Sequence, residues 1–225
     1  MKINGFLEFG VDFLNKELPQ WIFITPNMIH DGHNSTLSTA TSWTHDFVKP
    51  LLADDAFDER TLILITYDES EDYGKPNRIG GLLLGNAIPS ELKGHRDKTF
   101  YNHYSVLSTI EFNWRLPNLG RYDVGANIFQ WVEDFAKDSI FQNKDPPNAD
   151  TIDYSESYSG FLHNHTEKQI PWPLPNLGLT GAGGEPILDS IRLLFRYDSE
   201  NTPYDGSGEL FDAKHPPVYK PQPQL

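Results

Sequence analysis

The sequence predicts an α/β fold with a mostly parallel sheet, followed by an irregular C-terminal extension. Residues 61–67 are an unbroken run of β-branched and large apolar side chains without Gly or Pro, which is typical of a strand covered on both faces. A second apolar run at residues 21–24 precedes it, and a helical pattern lies between the two. This order of elements indicates a βαβ unit. From residue 138 onward, closely spaced Pro and Gly residues interrupt every regular pattern except that of residues 187–195.

The first element is predicted to be an amphipathic helix over residues 5–18. Leu7, Val11, Leu14 and Leu18 recur at helical spacing, and a proline follows directly. Because such an apolar stripe requires a partner, we expect this face to pack inside the fold.

A second helix is predicted from about residue 41, where Thr41 or Ser42 is a suitable N-cap. Its apolar stripe consists of Trp43, Phe47, Leu51 and Leu52. Pro50 lies within the stripe, so a kink or a break into two pieces is expected.

The later elements are shorter. Residues 79–85 predict a third strand, residues 106–114 a helix and residues 128–137 a final helix. These patterns divide the chain into a domain over residues 1–137 and a mostly irregular extension over residues 138–225, which we expect to pack on the domain through its aromatic side chains.

The composition excludes several classes of function. A formal net charge of -14 argues against binding to nucleic acid or to an anionic membrane surface. No stretch approaches the ~20 apolar residues that an integral membrane segment needs. Cysteine is absent, so thiolate metal sites and disulfides are excluded, and no signal peptide pattern is visible at the first residues.

Two sequons permit N-glycosylation, at Asn34 and at Asn164, if the protein is secreted. Triplets of this kind also occur by chance.

Two adjacent carboxylates, Asp68 and Glu69, follow the strand at residues 61–67 directly. Ligands of parallel sheets bind beyond the carboxyl ends of the strands, and carboxylate oxygens suit a hard divalent metal ion. The alternative is a solvated turn, since acidic residues continue to position 72.

Two histidines are further candidates for the same edge of the sheet. His33, in an Asp-x-His loop, is a candidate for metal ligation or for donating a hydrogen bond to a phosphoryl oxygen; the alternative is a surface-loop histidine. Asp31 either orients His33 or forms an Asx turn. His103 precedes a predicted helix, where it either meets an anion or serves as a cap or packing residue. The sequence has no nucleophile elbow, P-loop or His-Glu-x-x-His motif.

Three segments resemble successive blocks of the phosphoesterase family, which contains fungal secreted acid phosphatases and bacterial phospholipases C. They are residues 25–33, 61–69 and 99–111. Smaller details at residues 113–114, 119–121 and 126–127 are similar to the acid phosphatase branch.

The resemblance implies a partial alkaline-phosphatase-like three-layer sandwich that hydrolyses small phosphate monoesters, in a protein that is secreted. By position, Asp68 and Glu69 match the family's paired metal ligands, with a divalent ion of unspecified identity as cofactor. His33 matches the histidine that contacts the phosphoryl group. His103 matches the His-x-Ser block that supports the site. The resemblance therefore implies that His33 and His103 are catalytic residues and that Asp31 orients His33.

The resemblance also implies a difference from the family. Its Glu-Asn metal-binding block and its Ser or Thr nucleophile precede the helix with which this sequence starts. We therefore expect the chain to correspond to the C-terminal half of such an enzyme, with the N-terminal half of the domain as a partner and with an exposed apolar edge. A phospholipase C-type phosphodiesterase and a non-catalytic remnant are the alternative functions.

Overall fold

A computed structural model describes residues 3–70, 78–135, 143 and 174–199. Two compact units make up the chain: Met1–Leu62 with Gly85–Ala87, and Ile63–Leu84 with Ile88–Leu225. Both helices and strands are present, which confirms the predicted mixture of α and β structure. In the described part of the chain, no helix combines the length and the apolar character needed to cross a bilayer.

The first unit contains three helices. They are α1 (Phe6–Asn15), α2 (Leu37–Leu52) and α3 (Asp55–Asp58). The helix α2 begins four residues earlier than expected, because the side chain of Thr36 accepts a hydrogen bond from the amide of Thr39 at 3.2 Å. It continues past Pro50 to its end, so the predicted break into two helices is wrong.

Aromatic side chains fix α1 against the other helices of this unit. The ring of Phe6 lies 5.5 Å from those of both Trp43 and Phe47, and the ring of Phe13 lies 5.4 Å from that of Phe57. The expected packing face is therefore wrong, since Leu7 and Leu14 on the other side of α1 are 84% and 79% exposed. Both sides of α1 are apolar, and the larger rings provide more area to bury.

The strand predicted at residues 21–24 does not form. This segment pairs with no other strand among the described residues, and Phe23 is 81% exposed. Four apolar residues carry little information about their structure, and a strand requires a hydrogen-bonded neighbour. The predicted βαβ unit is absent from the described residues for this reason.

The second unit holds a two-stranded sheet of β1 (Ile63–Thr66) and β2 (Gly81–Leu84). The strands run antiparallel, with Ile63 opposite Leu84 and Thr66 opposite Gly81. The expected mostly parallel sheet is thus not confirmed, and β1 is half-buried where full burial was predicted. A strand pairs in either direction according to the partner that the rest of the chain supplies, and a local apolar run does not specify that partner.

Helices and one short 3₁₀ turn at Ser90–Leu92 complete the second unit. The helices are α4 (Tyr104–Trp114), α5 (Tyr122–Gly125), α6 (Gln130–Phe135) and α7 (Asp189–Leu194). The core of this unit includes Val124, Ala126, Ile128, Phe129, Val132, Ala182 and Ile187. The helix expected at residues 106–114 is confirmed, and the periodic pattern near residue 190 forms α7.

Within the second unit, a fully buried asparagine attaches the described C-terminal segment to the residues that follow α4. Asn118 forms an isolated parallel bridge with Ile187. Its side-chain amide donates to the carbonyl oxygen of Glu185 at 2.9 Å and accepts from the amide of Gly120 at 2.9 Å. The predicted division at residue 137 stays a prediction, because most of residues 136–173 and all of residues 200–225 lie outside the described part of the chain.

Candidate functional site

The acidic pair lies just beyond the end of β1. Asp68 and Glu69 are both exposed, and a single residue, Tyr67, separates them from the end of the strand. The strand end is fixed by Thr66, whose hydroxyl donates to the carbonyl oxygen of Gly80 at 3.1 Å. The two exposed carboxylates therefore follow a strand end that is held by a hydrogen bond.

His103 contacts the backbone of this acidic pair. Its Nε2 lies 2.7 Å from the main-chain carbonyl oxygen of Asp68, across 35 positions of sequence. A carbonyl oxygen can only accept, so Nε2 carries the hydrogen in this contact. The structure thus places the ring of His103 against the backbone of Asp68, the residue before Glu69.

The start of α4 holds His103 in place, since His103 is the residue that precedes the first turn. Asn102 accepts a hydrogen bond from the amide of Tyr104 at 3.0 Å, and its own amide donates to the hydroxyl of Ser105 at 3.1 Å. Ser105 is buried, and its carbonyl oxygen accepts from the hydroxyl of Thr109 at 2.7 Å. These bonds satisfy polar groups at the helix start and tie it to the interior.

The loop that carries His33 belongs to the first unit and is shaped by its own side chains. Asn27 accepts hydrogen bonds from the amides of Ile29 and His30 at 3.1 and 3.0 Å. Asp31 accepts from the amide of His33 at 2.8 Å, which is an Asx turn. The carboxylate of Asp31 therefore contacts the backbone of His33. This is the Asx turn that the sequence offered as the second alternative.

The two histidines of this loop have different surroundings. His30 stacks on Trp43 with a ring separation of 5.4 Å and an angle of 11° between the planes. His33 is exposed, and the residue before it, Gly32, has a φ of +97° that favours glycine. The loop thus packs one imidazole against the helix α2 and presents the other to the solvent. Whether His33 joins the acidic pair stays a prediction.

The sequon asparagine at position 34 is exposed, beside His33. The threonine of this sequon, Thr36, is the N-cap of α2. The second sequon asparagine, Asn164, lies outside the described residues.

The donor set at the end of β1 fits a metal ion in its chemistry. Carboxylate oxygens are the ligands that Mg²⁺, Mn²⁺ and Ca²⁺ prefer. Within the described ranges, no three His, Asp or Glu side chains gather closely enough to form a complete set of ligands. Asp68 and Glu69 therefore fit as two ligands of such an ion, which needs additional oxygen donors.

A second pair of carboxyl groups was missed in the sequence. Glu111 on α4 and Asp123 on α5 are buried, at 7% and 3% exposure. Asp123 accepts hydrogen bonds from the amides of Leu119 at 2.6 Å and Arg121 at 3.0 Å. Burial first, and then the charge of Asp123, raise the pKa of Glu111 to about 8. The sequence signal that could have found this pair is Glu111 itself, a charged residue directly after Ile110 in an apolar helical segment.

Comparisons with known proteins agree with the resemblance seen in the sequence. The model of the phosphoesterase family matches residues 1–117, which is about half of the chain and confirms the predicted family. No solved structure shows a significant match.

Several curated fungal proteins are similar over most of this chain. A probable acid phosphatase of Kluyveromyces lactis is 45% identical over 190 residues, which cover 84% of this chain and 43% of that protein. Acid phosphatases of Aspergillus niger and Aspergillus fumigatus are 38% and 40% identical, each over 85% of this chain and over 45% and 42% of their own length. The chain thus spans less than half the length of the curated relatives that it matches.

Proposed function

The chain belongs to the phosphoesterase family, and on that premise we propose that it serves in the hydrolysis of phosphate monoesters, as an acid phosphatase-type hydrolase. The observation that carries this proposal is the identity of 38–45% to proteins named acid phosphatase, over 84–85% of this chain. The acidic pair and both candidate histidines all lie within the matched family region, residues 1–117.

In this proposal, Asp68 and Glu69 hold a divalent metal ion by their carboxylate oxygens. When bound, such an ion neutralises charge on the phosphoryl group and polarises its oxygens. Support comes from the exposure of both carboxylates at the end of a strand and from the oxygen chemistry of the pair.

His33 donates a hydrogen bond to a phosphoryl oxygen in the same proposal. Its exposure and the Asx turn formed by Asp31, which orders the loop, support this role. A donor held in place before the substrate arrives is more effective than a mobile one, because little reorganisation is needed. The hydroxyl nucleophile that the family resemblance implies is not assigned to any residue of this chain.

The finer description of the fold is also a proposal. We infer that the second unit corresponds to part of an alkaline-phosphatase-like sandwich, in which β1 carries ligands at its carboxyl end. The antiparallel strand β2 is compatible with this, since many sheets of this class have one antiparallel edge strand. Secretion and a glycan at Asn34 belong to the same proposal, supported by the exposure of that asparagine.

The alternative of a phospholipase C-type phosphodiesterase is not favoured, because the similar curated proteins are named acid phosphatases.

Hydrolysis of a generic phosphomonoester at acidic pH, compared with a phosphocholine diester, tests the proposal. Because no residue of this chain is assigned as the nucleophile, the assay uses the chain joined to the N-terminal half of one of the similar acid phosphatases. The joined protein should prefer the monoester, and the double substitution D68N/E69Q should remove the turnover. A matched control is D55N/E59Q, which makes the same chemical change at two exposed positions of the first unit. Equal turnover in the two double variants would contradict the proposed role of the acidic pair, and a preference for the diester would support the alternative.

A further inference from the structure

The position of His103 assigns it a role that differs from direct contact with substrate. We propose that His103 is a positioning residue, which holds the main chain of Asp68 through an Nε2–H···O=C hydrogen bond and thereby sets the direction of both carboxylates. The part of this inference that concerns metal rests on the proposed function. The part that concerns the backbone does not.

The geometry leaves one chemical arrangement for a neutral ring. The 2.7 Å contact of Nε2 with a carbonyl oxygen requires the hydrogen to be on Nε2. The lone pair of a neutral imidazole is then on Nδ1. A metal ion or a phosphoryl oxygen that met this side chain through Nε2 would have to break the bond to Asp68. Nε2 therefore donates to the backbone of Asp68 and not to a metal-bound or phosphoryl group.

The helix that begins at His103 is hydrogen-bonded into the core of the second unit. Ser108, one turn further along α4, is buried and donates to the carbonyl oxygen of Ala126 at 3.1 Å. The hydroxyl of Thr109 accepts from the amide of Phe129 at 3.0 Å. These bonds attach α4 to the segment that follows α5, in the core of the second unit. An imidazole at the start of such a helix is well suited to fix an exposed segment.

The hydrogen bond acts on both carboxylates at once. The carbonyl of Asp68 is part of the peptide plane that leads to Glu69, so holding this carbonyl restricts the rotation of that plane. The directions of the Asp68 and Glu69 side chains both depend on the orientation of this peptide plane. Groups that orient metal ligands typically contribute 10–100-fold to metal affinity, and pre-ordered ligands lose less entropy when they bind.

The test begins without metal, by nuclear magnetic resonance of the whole chain at pH 8, where an imidazole is ordinarily neutral. The ring of His103 should show the hydrogen on Nε2, and H103L should shift the carbonyl carbon resonance of Asp68. H103Q, whose amide nitrogen can reach the place of Nε2, should restore the resonance. The control H95L removes an exposed histidine of the same unit and should leave it unchanged.

Isothermal titration with Mn²⁺ then measures the consequence for the acidic pair. H103L should weaken the binding that D68N/E69Q removes by about tenfold or more. H103Q should recover most of it, and H95L should match the original chain.

The possible outcomes separate this inference from the proposed function. Hydrogen on Nδ1, or an unchanged Asp68 resonance in H103L, overturns the positioning role. Mn²⁺ affinity that H103L leaves unchanged, while D68N/E69Q removes it, also overturns the role but leaves the proposed function standing. If no Mn²⁺ binding depends on the acidic pair, the proposed function fails, and the resonance data alone decide whether His103 holds Asp68.

Discussion

Glu111 and Asp123 form a pair of buried carboxyl groups in the second unit, and Glu111 takes up a proton readily. The pKa of Glu111 is raised from 4.5 to about 8, by its burial and then by the negative charge of Asp123. Because the folded chain binds this proton more tightly than the unfolded chain, the contribution of Glu111 to stability declines as the pH rises from 4.5 to about 8. Below and above that window it is constant.

We therefore expect Glu111→Gln to flatten the pH dependence of stability between pH 4.5 and about 8. The free energy of unfolding, measured with urea at several pH values, should rise in the variant relative to the original chain, and the rise should be largest near pH 8. Glu91→Gln, at an exposed position of the same unit, is the control for the loss of one negative charge. A parallel pH dependence of Glu111→Gln and the original chain would show that Glu111 ionises normally.

Gly85 should tolerate no side chain. Its φ is +109°, and a Cβ atom there would be 2.1 Å from the carbonyl oxygen of Thr61. Gly85→Ala is expected to lower the free energy of unfolding by about 2 kcal/mol or more. Gly80→Ala is the matched control, since a Cβ atom meets nothing within 4 Å there. Equal stability of the two variants would contradict the described backbone.

Asn118 should be a major contributor to the stability of the second unit. Replacement by Ala leaves the amide of Gly120 and the carbonyl of Glu185 without their buried partner. The expected cost is roughly 2–4 kcal/mol, from two unsatisfied groups. Asn113→Ala, on the exposed side of α4, should stay within about 0.5 kcal/mol of the original chain. Chemical denaturation of both variants checks this, and a small effect at Asn118 would mean that the C-terminal segment is held by other contacts.

His33 should contribute to the binding of inorganic phosphate in the presence of Mn²⁺. A hydrogen bond to a charged group contributes about 1.5–3 kcal/mol, so His33→Ala should weaken phosphate binding about tenfold or more. His45→Ala changes an exposed histidine of α2 in the same unit and should have no such effect. Phosphate affinity that is the same in both variants would remove His33 from the site.

Local patterns predicted part of this molecule well. The helix α4 and the helix α7 follow from apolar periodicity, and the acidic pair was placed directly after a strand from the sequence alone. The family was also recognisable, because three separate blocks occur in the order that the family has. Such features depend on residues close to one another in the chain.

Features that depend on distant residues were not predictable. An unbroken apolar run such as residues 61–67 indicates burial, but the direction of pairing depends on the partner strand, so the sequence could not decide how β1 pairs. The helix α1 is apolar on both sides, and only the position of Trp43 and Phe47 decides which side packs. Asn118 is a residue type that is usually exposed, and its partner Glu185 lies 67 positions away. Similarly, nothing local shows that the ring of His103 meets the backbone of Asp68.

The most direct test of the central claim, that Asp68 and Glu69 together bind a divalent metal ion, is a titration with Mn²⁺ followed by the electron paramagnetic resonance of the free ion. The original chain and the D55N/E59Q control should both withdraw Mn²⁺ from solution at a common affinity, and D68N/E69Q should lose that site. Identical titration curves for the three proteins would contradict the claim, and with it the proposed hydrolytic site.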